Sequence, residues 1–255
     1  MVEKLLKKSY LHSNLKKITY DSLWNTKGVF TTIKVIGNKP KFVFLKEHIS
    51  NLNRSLKIFN INFSINAENF KKLIIDELKK NINYNHLLRI AINNKKISIS
   101  LRKNFKQNQF FTGVLVKYKR PMAEIKNLRY KKILKLLSSI NINSNEVILF
   151  NKNTILEGCT TNIICVKNKK LYIPMKNYYN GITLRFIKKY SKRKFLKENI
   201  SLEKLKLFDE ILLVGSGKGI VALKNIPQIK WRKKSQIIYK ELKQLYNLHI
   251  KGQKN

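Results

Sequence analysis

A chain of 255 residues with 43% hydrophobic side chains is long enough to bury a sizeable core and too apolar to be a disordered tail. Its 54 Lys and Arg against 14 Asp and Glu give a formal charge of +40, which makes an anionic surface such as nucleic acid the first partner to test. The basic residues are spread along the whole chain with no basic arm, which argues against a specific nucleic-acid footprint and for salt-dependent attraction of small anions.

In chain order, residues 1–24 read as a basic, partly helical start. Residues 28–35, G-V-F-T-T-I-K-V, alternate with β-branched and aromatic side chains, 36–40 break as a turn and 41–45 return, which predicts a hairpin entering a helix. That helix begins near Glu47, with Ile49, Leu52, Leu56 and Phe59 at helical spacing, and a second over 66–81 turns Phe70, Ile74 and Leu78 inward. Strands at 87–92, 97–101 and 113–118 complete a smaller N-terminal α+β lobe, residues 1–118. A connection at 119–123 leads to a larger lobe, 124–255, with helices at 130–139, 183–192 and 235–246 and strands at 146–150, 161–166, 170–173 and 210–214. The fold class is therefore α+β to α/β in two lobes, with Lys126 just after the joint, where a cleft is expected.

The two cysteines, Cys159 and Cys165, lie close together on one predicted strand-rich segment, a poor geometry for a mutual disulfide, and no clustered His joins them as a zinc site. No run of 18 apolar residues occurs, and the basic N-terminus lacks the apolar core of a secretory signal. A soluble, cytoplasmic protein without membrane partners or bound metal is the expectation.

Four short motifs carry chemistry. Phe30-Thr31-Thr32 sits in the first hairpin, although T-T-I-K-V is also an ordinary half-exposed strand. Lys126 precedes Tyr130 by four residues, and a lysine whose amine is desolvated or set near another cation can act as a nucleophile. Glu157 opens E-G-C-T-T-N-I in a strand–turn–strand reading, a notable use of one of so few acids. Asn180-Gly181-Ile182-Thr183 at a helix start and Gly215-Ser216-Gly217-Lys218-Gly219 after a strand could cradle an anion on backbone N–H groups and hydroxyls. The second lacks the spacing of a nucleotide P-loop.

In this order, K-x-x-x-Y, E-G-x-x-x-N-I and the two cradles resemble the fold-type IV pyridoxal-phosphate enzymes, which include branched-chain and D-amino-acid aminotransferases and 4-amino-4-deoxychorismate lyase. The resemblance implies pyridoxal 5'-phosphate as cofactor, Lys126 as Schiff-base lysine and general base, Tyr130 as a cofactor contact and Glu157 on the ring nitrogen. It implies Ile182, Thr183 and Ser216 on the phosphate, and a homodimer. Aminotransferases of the family carry F-E-T or F-E-G where this chain has F-T-T, as the lyase branch does, so Thr32 is the second catalytic candidate and Thr31 a substrate contact. The reading is a lyase that releases pyruvate and 4-aminobenzoate for folate synthesis from a small anionic amino substrate. A D-amino-acid or branched-chain aminotransferase is the alternative, and a basic nucleic-acid-binding protein on the same fold a remote one.

Three departures accompany the resemblance. Asn51 stands where the family has a phosphate-binding Arg three residues after His48, leaving Arg54 or Lys218 as substitutes; an amide does not match a bidentate guanidinium. Arg129 replaces a frequent Asn. The R-G-rich loop of many relatives is missing from 90–103, so Arg89, Arg102 or Lys103 are left as cations for substrate carboxylates.

Overall fold

The computed structural model describes residues 4–79, 82–105 and 107–252. Contacts group these into two compact units: the chain through Phe105 together with Ile125–Lys131, and the remainder through Glu124 and from Lys132 onward.

The first unit is built on a six-stranded sheet in the order β2-β1-β6-β5-β3-β4. These strands are β1 (Lys4–Leu11), β2 (Lys17–Ile18), β3 (Gly28–Gly37), β4 (Lys41–Phe42), β5 (Tyr84–Asn93) and β6 (Lys96–Lys103). The N-terminal segment is thus a strand, not the helical start expected. Leu6 and Tyr10 fall on one face and are buried in the core, a period-2 signal that the surrounding lysines mask in the sequence. β3 pairs with β5 in an unbroken antiparallel register from Gly28 opposite Asn93 to Gly37 opposite Tyr84. Helices α1 (Leu45–Ile58) and α2 (Ala67–Ile75) cover the sheet with Ile49, Leu52, Leu56, Phe70 and Ile74 in the core. Asn66 caps α2 by accepting from the N–H groups of Glu68 and Asn69, but the helix stops at Ile75, short of the expected 81. Part of the remaining stretch, 80–81, lies outside the described residues.

The second unit carries a nine-stranded sheet in the order β12-β11-β10-β13-β14-β7-β8-β9, with β15 paired to β14. Its strands are β7 (Phe110–Lys117), β8 (Asn145–Asn151), β9 (Thr154–Gly158), β10 (Asn162–Lys167), β11 (Lys170–Pro174), β12 (Phe195–Glu198), β13 (Glu210–Gly215), β14 (Gly219–Ile226) and β15 (Trp231–Arg232). Helices are α3 (Lys131–Ser138), α4 (Ile182–Tyr190), the short α5 (Leu202–Leu205) and α6 (Ile237–Gly252). β7, assigned from sequence to the first lobe, lies in this sheet, parallel to β8 and β14. Conversely, 125–131 returns to the first unit, because Phe30 N–H donates to the Lys126 carbonyl, Leu128 N–H to the Gly28 carbonyl, and Val29 bridges Asn127. The boundary expected at 119–123 therefore differs from the grouping by contact. Strand β14, unread in the sequence, lies between β13 and β7 and buries Ile220, Val221, Ala222 and Leu223.

Candidate active site

In the first unit the candidate residues are set by register. Side chains alternate along β3, so Thr31 and Thr32 face opposite sides of the sheet. Thr31, read from the sequence as a substrate contact, is buried against α1, its Oγ1 2.6 Å from Nδ1 of the buried His48. Thr32 shares its face with Phe30 and is directly opposite Arg89.

Lys126 lies on this same face, half-buried, with Nζ 5.3 Å from the centre of the Phe30 ring. Tyr130 packs edge-to-face on Phe30 at 5.2 Å and is stacked by Trp24 at 5.5 Å. The Arg89 guanidinium covers Trp24 at 4.0 Å and donates to the Ser22 carbonyl. Burial lowers Arg89 to about 10, with Tyr20 and Asp21 opposing. Arg89, a candidate for substrate carboxylates by its charge, thus ties the 22–24 segment to β5. Arg102 stands on β6, opposite Leu87, its guanidinium likewise lowered by burial. Gly28 is required first by the β5 backbone and then by the 125–131 segment: a Cβ there would come 2.3 Å from the Ile92 carbonyl oxygen and 2.7 Å from the Leu128 side chain.

In the second unit the candidates are held by side-chain bonds. Glu157, 4% exposed at the end of β9, accepts from Arg120 Nε at 2.6 Å and from the Tyr179 N–H at 3.1 Å. Arg120, itself buried, also donates to the Ala123 carbonyl at 2.8 Å. A fixed guanidinium beside a buried carboxylate favours its charged form. Asn162 accepts from Gly181 N–H and donates to the Tyr179 carbonyl, which shapes the turn that opens α4 with Gly181 at its N-cap. Ile182 and Thr183 are buried in that first turn, and Ser216 lies in the turn between β13 and β14.

The two candidate substitutes for the missing phosphate-binding Arg are placed differently. Arg54 is exposed and lines a surface groove with Lys46 and Lys57. Lys218 Nζ is 2.5 Å from Oε2 of the fully buried Glu146. Asn51 is buried on α1, and its carbonyl accepts from the Ser55 hydroxyl. The pieces nonetheless suit pyridoxal phosphate. The Thr161 hydroxyl is buried with no hydrogen-bond partner, the buried Thr183 hydroxyl makes no bond of ordinary geometry, and both belong to motifs flanking an open helix start beside an anchored carboxylate.

Reading residues alone missed Arg120, Trp24 and Glu146. A buried arginine has no local signature in so basic a chain; Trp24, one of only two tryptophans, was the available cue. Both cysteines are buried and neither is in a disulfide, and burial pushes both thiols up. Among the described residues no cluster of His, Cys, Asp and Glu is suited to a metal ion, and no helix is long and apolar enough to cross a membrane.

Each unit thus carries its own sheet and its own candidates, Lys126 on the 125–131 segment of the first and Glu157 on β9 of the second, within an α+β fold. The amino-transferase class IV family profile matches residues 28–226, and the chain belongs to this family of pyridoxal-phosphate-dependent enzymes. Among solved structures it is similar to a branched-chain aminotransferase from Thermoproteus uzoniensis, at 19% identity over 94% of this chain and 93% of that one, with a TM-score of 0.79. It is also similar to a candidate 4-amino-4-deoxychorismate lyase from Legionella pneumophila, at 18% identity over 87% and 90%, TM-score 0.72. A third is the branched-chain amino acid aminotransferase of Escherichia coli, at 18% identity over 98% and 96%, TM-score 0.78. No curated protein matches the chain in sequence.

Proposed function

We propose that the chain is a pyridoxal-phosphate-dependent lyase that converts 4-amino-4-deoxychorismate to pyruvate and 4-aminobenzoate. The observation that carries this reading is Phe30-Thr31-Thr32, the lyase form of the motif, with the Thr32 side chain on the sheet face over which Lys126 lies. When bound, the cofactor supplies an electron sink for a carbanion.

Lys126 anchors the cofactor and then, as a free amine, takes the proton from the substrate carbon that bears nitrogen. Its position on 125–131, stitched to β3 by main-chain bonds, fixes the direction from which it reaches that proton. Glu157, oriented by Arg120 and the Tyr179 N–H, holds a proton on the ring nitrogen. Tyr130, wedged between Phe30 and Trp24, keeps the cofactor's orientation. Ile182, Thr183 and Ser216 receive the phosphate on N–H groups and hydroxyls. Thr32 hydrogen-bonds the departing enolpyruvyl group, whose C–O bond to the ring breaks as the ring becomes aromatic.

The test is the absorption spectrum with added pyridoxal phosphate for wild type and Lys126→Ala, followed by addition of 4-amino-4-deoxychorismate and assay of pyruvate. A visible band absent from the variant, with pyruvate formed by wild type alone, is the expected result. A band without pyruvate but with amino transfer to 2-oxoglutarate would replace the lyase by an aminotransferase. No band, with tight salt-sensitive binding of DNA or RNA, would overturn the enzymatic reading altogether.

A further inference from the structure

We infer that Glu146 and Lys218 form a clamp that positions the Ser216 turn for the cofactor phosphate, an inference that rests on the cofactor reading above. Glu146 is fully buried at the start of β8. Its Oε2 meets Lys218 Nζ at 2.5 Å and accepts from the Thr160 hydroxyl at 2.8 Å, while Oε1 accepts from the Thr160 N–H at 3.2 Å. Lys218 Nζ is also 3.2 Å from Thr160 Oγ1 and 5.0 Å from the centre of the Phe111 ring.

One buried carboxylate therefore ties together the turn after Glu157 and the turn that holds Ser216. The glycines record how closely these turns meet. A Cβ on Gly215 would stand 3.0 Å from the Thr160 carbonyl oxygen, and one on Gly158 2.2 Å from Thr161 Oγ1 and 3.2 Å from Glu146 Cγ.

The same geometry excludes the simpler role for Lys218. Its ammonium is neutralised by a carboxylate at contact distance, so it cannot serve as the bare cation that replaces the arginine missing at Asn51. It acts through the backbone of its own turn, two residues from Ser216, and is a positioning residue. A buried ion pair is a weak source of net stability but a strong constraint on geometry, since loss of one partner leaves an uncompensated charge. With Asn51 supplying no guanidinium, phosphate affinity depends on hydroxyl and N–H groups, whose strength falls steeply with misplacement.

The test compares pyridoxal phosphate with pyridoxal, which lacks the phosphate, on wild type, Lys218→Met, Lys218→Arg and the double variant Glu146→Leu with Lys218→Met. The double variant removes both charges at once and keeps the fold accessible if the single change does not. Lys218→Met and the double variant are expected to weaken pyridoxal phosphate about tenfold or more while pyridoxal affinity stays within about twofold, with Lys218→Arg recovering most of the loss. Equal weakening of both ligands, or no weakening of either, would overturn the clamp and leave a structural pair. If wild type gives no band with either ligand, the cofactor reading fails by itself. The rise in melting temperature with inorganic phosphate then decides the clamp: a rise confined to wild type and Lys218→Arg supports it, and an equal rise in all four proteins overturns it.

Discussion

The two units position their candidate residues by different means. In the first, β3 and the 125–131 segment set Lys126, Thr32 and Tyr130 through main-chain pairing and aromatic contact, and the acids that form ion pairs, Asp21 with Lys96 and Glu77 with Lys8, are near the surface. In the second, three of the described acids are buried, and each holds a turn or a helix start: Glu157 with Arg120, Glu146 with Lys218, and Glu210 at the start of α6. Where negative charge is scarce, each buried carboxylate is surrounded by several donors, so its removal should cost far more than loss of a surface pair.

Arg120→Met is the most severe test of that contrast. It leaves Glu157 buried without its guanidinium partner, and should lower unfolding free energy by about 3–5 kcal/mol in urea titration. Adding Glu157→Gln should restore much of the stability without restoring the cofactor band. If Arg120→Met instead unfolds like Lys96→Met, at less than about 1 kcal/mol, the buried pair is not the constraint described. Glu210→Ala comes next. The carboxylate accepts from the N–H groups of Ile238 and Tyr239 and from the Ser235 hydroxyl, a cap made from a neighbouring strand, and its loss should cost about 2 kcal/mol with α6 fraying first in hydrogen exchange.

This division also explains what the sequence made legible. Periodicity gives β3, β5, α1 and most of the second sheet, because their apolar faces repeat regularly. It misses β1, where lysines interrupt the pattern, and β14, whose start is hidden in the glycine-rich turn at 215–219. Lys126, Tyr130 and Glu157 are legible through spacing, since motif order survives when composition drifts toward lysine. Arg120 and Glu146 are not, because their partners are 37 and 72 residues away in sequence and only the folded sheet brings them to contact. Thr31 and Thr32 stand between these cases: the motif names both, but only the pleat of β3 separates their roles.

Thr31→Val and Thr32→Val therefore form a matched pair within the first unit. Thr31→Val breaks the bond to His48 and should cost about 1–3 kcal/mol with the visible band intact. Thr32→Val should change stability by less than about 0.5 kcal/mol and reduce pyruvate formation by about a hundredfold at unchanged cofactor affinity. The reverse outcome, activity lost at 31 and stability at 32, would mean that the face carrying Lys126 has been misassigned.

The smallest effect sharpens the same comparison from the polar edge of the first unit. His86 is buried on β5, its Nδ1 accepting the Asn85 N–H and its ring packed edge-on against Tyr84. Burial first, and the Lys103 charge second, hold its pKa below the ordinary value of about 6.5. The folded protein thus resists a proton that the unfolded chain accepts, so the contribution of His86 is fully present above pH 6.5 and is lost as pH falls through the folded value. The difference in stability between wild type and His86→Gln, measured in urea at pH 7.5 and again at pH 5, should narrow at the lower pH. A difference that widens there would require an anionic partner for the imidazole, and on this unit's sheet none stands beside His86 among the charges that shift it.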